Sequence, residues 1–116
     1  INLGLGQPDF DTPAHIKRAA MEALHRGATG YTPNAGIPEL RTALVEKFRR
    51  ENRIDLTPEE ILVTSGASEG LHLAIMSLVQ RGDEVIGADP CFVSYPALVA
   101  LAEARWVGVP LELVHA

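Results

Sequence analysis

From residue 61 onward the chain alternates between short apolar runs and helical patterns, and this alternation narrows the fold more than any other feature. "ILVT" (61–64) reads as a short buried strand. Residues 67–80 follow with Leu71, Ala74, Ile75, Leu78 and Val79 at helical spacing, and Gly82 ends that helix. "EVIGA" (84–88) is a second strand, "DPCFVSYP" a loop, 96–104 a helix and "RWVGVP" (105–110) a third strand. Strands joined through single helices by short loops imply a parallel sheet. The expected class is α/β, with the sheet mostly parallel.

The first 55 residues read differently. "INLGLGQPDFD" has two glycines and a proline without periodicity, so it reads as loop, with room for a short strand at its start. "DTPAHIKRAAMEALHRG" is a helix whose stripe is Ile16, Ala20, Ala23 and Leu24. Asp11 or Thr12 can cap it, Pro13 suits its first position and Gly27 its left-handed stop. After a second loop, "ATGYTPNAGIPELR", a helix is expected from about Pro38 to Asn52, burying Leu40, Ala43, Leu44 and Phe48. Thr57 and Glu60 have capping-box spacing. By pattern the chain divides into a loop-and-helix segment, 1–55, and an alternating segment, 56–116.

Composition excludes several classes. Hydrophobic residues at 47% and charged ones at 22% fit a globular chain of 116 residues with a core. A net charge of −5, with basic residues scattered and adjacent only at Lys17-Arg18 and Arg49-Arg50, argues against a nucleic-acid or acidic-membrane surface. Cys91 alone permits no internal disulfide, which points to a reducing compartment and a cytoplasmic location. No charged leader and no apolar run of about 18 residues argues for secretion or membrane spanning. His15, His25, His72 and His115 have no metal-ligand spacing with one another or with Cys91, so no metal is expected.

The loop "TSGASEG" stands where ligands bind in open α/β sheets, between the end of a strand and the start of a helix. Small residues let the N–H groups of Gly66, Ala67 and Ser68 approach an anion, and the Ser68 hydroxyl adds a donor. A triphosphate loop needs G-x-x-x-x-G-K-[ST], and no lysine is present here. The dinucleotide fingerprint is also absent, because "GLGQPD" has Asp9 in place of its third glycine. On pattern alone the loop is either a site for one small phosphate or a plain serine-capped helix.

Four segments taken together go further. "INLGLGQPDFDTP", "GYTPNAGIPELR", "VTSGASEGLHLA" and "GDEVIGADPCFVSYP" occur in the order and spacing of the class I/II aminotransferases. Over almost its whole length the chain resembles the N-terminal portion of these pyridoxal-phosphate (PLP) enzymes of fold type I. It is most similar to the aspartate and aromatic subgroup. The resemblance implies that residues 56–116 form the first portion of the large PLP-binding domain, a three-layer αβα arrangement. It implies that Gly66, Ala67 and Ser68 cradle the cofactor phosphate and that Phe92 stacks on the pyridine ring. Tyr31 would reach the cofactor phosphate of the partner subunit in a homodimer, and the Gly6 backbone would contact the substrate α-carboxylate. The substrates implied are an amino acid and a 2-oxo acid, with a role in amino-acid metabolism and biosynthesis.

The elementary chemistry of these residues agrees with such roles. A phenol donates to a phosphate oxygen, an aromatic face suits an electron-poor ring, and glycine permits close backbone approach. The family's catalytic lysine, which forms the Schiff base with PLP, has no match. Lys17 and Lys47 are the chain's lysines and both fall in helical patterns. That lysine is expected beyond Ala116, along with the family's cofactor-contacting asparagine, tyrosine and aspartate and its substrate-gripping arginine. The 116-residue segment is therefore expected to be inactive alone. Two other readings remain open at this stage: a non-catalytic fragment or split subunit, and an aminotransferase-like effector domain of a transcription regulator. Several residues have simpler uses. Trp106 reads as core, Glu69 as a favourable charge at a helix start, Cys91 as inert and "LRTALVEKFRREN" as a solvated amphipathic helix.

Overall fold

The computed structural model describes residue 4 and residues 6–112. They form two compact units, Ile1–Pro33 and Asn34–Ala116. The division by packing thus falls earlier than the division by pattern at residue 55, and it groups the helix after Pro38 with the sheet.

In the first unit α1 spans Ala14–His25. Pro13 occupies the cap position with an extended ψ of 139°, and its carbonyl accepts the N–H groups of Ile16 and Lys17. The expected Asp11 or Thr12 cap does not form, and Pro13 lies just before the first helical position. The Asp11 carboxylate instead pairs with the Lys17 ammonium. Gly27 adopts φ +75°, the left-handed stop expected of it. No α1 residue is buried within the described residues.

The second unit opens with α2, Pro38–Lys47, with Pro38 in its first turn. The helix was expected to continue regularly to Asn52; residues Phe48–Asn52 instead widen into one π-turn, closed by Arg53 at φ +58°. Its inward face also differs from the expected stripe, for Leu40 and Ala43 are exposed while Val45 is buried and Arg41, Leu44 and Phe48 are half-buried. On that inward side the Arg41 Nε donates to the Pro58 carbonyl of the next turn at 2.7 Å. That turn, a 3-10 helix at Pro58–Glu60, has the capping box foreseen: Thr57 N–H donates to the Glu60 carboxylate at 2.8 Å.

Residues 61–64 do not form the strand expected of "ILVT". Ile61 is extended (φ −111°, ψ 125°) and buried, but a strand needs a ladder, and Val63 N–H donates instead to the Ala35 carbonyl at 3.0 Å. Gly36, at φ +99°, lies so close to Val63 that a methyl group there would overlap the valine side chain.

α3 spans Ala67–Leu78, β1 Glu84–Asp89, α4 Ser94–Leu101 and β2 Arg105–Pro110. β1 and β2 pair in parallel, with Glu84 opposite Arg105 and Asp89 opposite Pro110. The connection is the strand–helix–strand unit that the sequence pattern required. The Glu84 carboxylate and Arg105 guanidinium form an ion pair at its start. Trp106 is half-buried on the sheet and lies across Gly87, where any side chain would overlap the indole. Val99 of α4 is 1% exposed, the most buried side chain of this unit's core, with Ile61 and Val45 next.

Candidate active site

The entrance to α3 is built by three local hydrogen bonds. Thr64 Oγ1 donates to the Gly66 carbonyl at 2.9 Å, and Gly66 N–H donates to the Thr64 carbonyl at 2.8 Å. Ser65 N–H donates to the Glu69 carboxylate. Glu69 therefore folds back over the helix start as a structural carboxylate, in keeping with its expected use. Gly66 holds φ +87°, ψ 170°, a region essentially reserved for glycine.

What this leaves open is chemically specific. No side chain caps α3, and Gly70 N–H donates to the Gly66 carbonyl at 3.3 Å. The N–H groups of Ala67, Ser68 and Glu69 have no acceptor among the described residues. The Ser68 hydroxyl likewise has no partner there, and residues Ser65–Glu69 are all exposed. Three parallel donors at the positive end of a 12-residue helix are groups to which an anion could bind. Relative to the sequence expectation the donor set moves one residue along, because the Gly66 amide is already engaged while that of Glu69 is free.

Phe92 lies in the loop that follows β1. Its ring is 53% exposed and meets the Tyr95 ring edge-to-face, with centroids 5.6 Å apart and planes at 77°. Tyr95 N–H donates to the Phe92 carbonyl at 3.0 Å, so the start of α4 fixes the Phe92 backbone as well. An apolar cavity of about 350 Å³ is bordered by Leu71 and Ile75 of α3, Val85 and Ala88 of β1, Cys91, Tyr95 and Trp106. Phe92 follows the carboxyl end of β1, while the free donors open α3.

Gly6 and Tyr31 belong to the other unit. Gly6 is exposed, with no atom within 4 Å of where a side chain would begin, so a backbone contact there is sterically open. Tyr31 is fully exposed in the loop after α1, and its hydroxyl has no partner among the described residues. Lys17 pairs with Asp11 and Lys47 with Glu51 at 2.9 Å, so each ammonium is already engaged. Cys91 is a free, exposed thiol. Among the described residues no group of three His, Cys, Asp or Glu could hold a metal ion, and no helix is long and apolar enough to cross a membrane. His115 lies outside them.

Sequence reasoning missed Tyr95. Its signal was present, since positions three apart at a helix start face one another, but "FVSY" alone does not show that α4 begins at Ser94.

Free donors at a helix entrance and an aromatic ring past the carboxyl end of a strand are groups that could hold a phosphorylated planar molecule. The family model for aminotransferase class I and II matches residues 1–113, and the chain belongs to that family. The fold is that of the N-terminal part of the large domain of fold type I aminotransferases. Among curated relatives, the aspartate aminotransferase of Pyrococcus horikoshii is 56% identical over 112 residues, 97% of this chain and 29% of its own length. The aspartate/prephenate aminotransferase of Thermus thermophilus is 53% identical over 102 residues, 88% of this chain and 26% of its own. A solved variant of the Thermus thermophilus aspartate aminotransferase superposes with TM-score 0.88 at 53% identity, covering 91% of this chain and 29% of that one. The aromatic aminotransferase from Pyrococcus horikoshii gives 0.91 at 44% identity, covering 94% and 30%. The chain therefore spans less than a third of the length of these relatives.

Proposed function

We propose that this chain is the cofactor-cradling portion of a PLP-dependent aminotransferase that exchanges an amino group between an L-amino acid and a 2-oxo acid. The observation that supports it best is the trio of unpartnered N–H groups at Ala67, Ser68 and Glu69, in a chain of this family. When bound, PLP would supply an electron sink that stabilises negative charge at the substrate α-carbon.

The roles proposed for this chain's residues are binding and orientation. Gly66 shapes the turn, while Ala67, Ser68 and the neighbouring Glu69 amide hold the phosphate, with the Ser68 hydroxyl as a further donor. Phe92 covers one face of the ring and excludes water from it. The Tyr31 hydroxyl donates to the phosphate of the partner subunit's cofactor, which makes the functional unit a homodimer. The Gly6 backbone receives the substrate α-carboxylate. The amine that proton transfer requires is assigned to a lysine outside residues 1–116, because Lys17 and Lys47 are engaged in ion pairs on helices. By the names of the relatives, aspartate and an aromatic or prephenate-like partner are the proposed substrates, and the cytoplasm the proposed location.

Titration of the full-length protein with PLP, followed by visible absorbance and by quenching of Trp106 fluorescence, tests this reading. Saturable binding that inorganic phosphate competes away is the expected result, together with amino transfer from L-aspartate to 2-oxoglutarate. Failure to bind PLP overturns it; binding without amino transfer would favour a non-catalytic chain.

A further inference from the structure

Resting on the assignment of Phe92 to the cofactor ring, we infer that Tyr95 is a positioning residue for that ring contact. A lone aromatic on an exposed loop samples several rotamers, and a stacking partner must be held in one. Phe92 is half-exposed, and among the described residues its one aromatic contact is with the Tyr95 ring. That contact has the geometry that aligns the positive edge of one ring with the negative face of another, at 5.6 Å and 77°. The backbone adds a second tether through Tyr95 N–H and the Phe92 carbonyl at 3.0 Å.

Tyr95 also borders the apolar cavity that Leu71 and Ile75 of α3 and Val99 of α4 line. The Tyr95 hydroxyl has no partner among the described residues, so the ring, and not the hydroxyl, does the positioning.

A double-mutant cycle in the full-length protein separates this role from simple packing. PLP dissociation constants are measured for wild type, Tyr95→Leu, Phe92→Leu and the double variant, with Tyr95→Phe as the conservative control. Leucine retains apolar bulk in the cavity, and thermal unfolding reports whether each variant is folded. An edge-to-face pair predicts that Tyr95→Leu weakens PLP binding about three- to tenfold. That loss should vanish when Phe92 is already leucine, and Tyr95→Phe should bind like wild type. Equal losses in both backgrounds, or none in either, overturn the inference for Tyr95. An unchanged affinity in Phe92→Leu alone instead removes Phe92 from the cofactor site and the inference with it.

Discussion

Replacing Gly66 by alanine separates backbone geometry from packing at the helix entrance. A methyl group there meets no heavy atom within 4 Å, so there is no steric term. What remains is the backbone itself, at φ +87° and ψ 170°. Holding an L-residue in that region costs about 1–3 kcal/mol. The escape is to rotate to negative φ, which breaks the Gly66 N–H bond to Thr64 and the Thr64 Oγ1 bond to the Gly66 carbonyl. Each is worth about 0.5–1.5 kcal/mol net, so escape costs about as much as strain. Gly66→Ala is therefore expected to lower the stability of the apo full-length protein by about 1–3 kcal/mol in urea unfolding. Rotation also re-aims the first amides of α3, so PLP affinity should fall with it. Gly6→Ala is the control, because Gly6 lies outside the left-handed region and has the same open surroundings. That variant should match wild type or gain up to about 1 kcal/mol through the unfolded chain. A Gly66→Ala protein within about 0.5 kcal/mol of wild type, or a Gly6→Ala protein equally damaged, refutes the reasoning.

Three further outcomes are expected. Ser68→Ala should weaken PLP binding about 10- to 100-fold, the loss of one hydrogen bond to a charged group, while the melting temperature stays put because the hydroxyl has no protein partner; an unchanged titration removes Ser68 from the cradle. Gly87→Ala should destabilise by about 1–3 kcal/mol through overlap with Trp106, and Trp106→Leu in the same chain should recover most of it; a neutral Gly87→Ala refutes the close packing. The hydrogen bond from Lys47, with a smaller one from Arg50, holds the Glu51 carboxyl below the usual glutamate range. Its ion pairs therefore support the fold above the ordinary glutamate pKa, and that support is lost as pH falls through the lowered one. In a carbon-13 NMR titration Lys47→Met should move the Glu51 midpoint upward, and a midpoint that stays in place contradicts the pairing.

How far the residues alone could lead is set by the range of the forces involved. β2 was legible to the residue, Arg105–Pro110, because a run of β-formers between a helix stop and a proline is decided locally. The Thr57–Glu60 box was legible for the same reason, since both of its bonds close within four residues. "ILVT" has an equally strong local preference and still forms no ladder, because pairing depends on a neighbour that no property of residues 61–64 specifies; the loop at Ala35 and Gly36 takes that place. α2 also turned a different face inward, one on which Arg41 meets a carbonyl 17 residues away. The site divides along the same line. Gly66, Ala67 and Ser68 could be read as a helix entrance from their own chemistry, but periodicity left cap and anion site equally open. One backbone detail favours the anion site: Gly66 N–H is consumed by Thr64 while three later amides stay free, and that depends on the conformation Gly66 adopts. Tyr95 is the clearest case, because its ring matters through a contact with Phe92 that depends on where α4 begins. The positions most worth mutating are accordingly those where a local signal turns on the backbone conformation it meets, and Gly66 and Tyr95 are both of that kind.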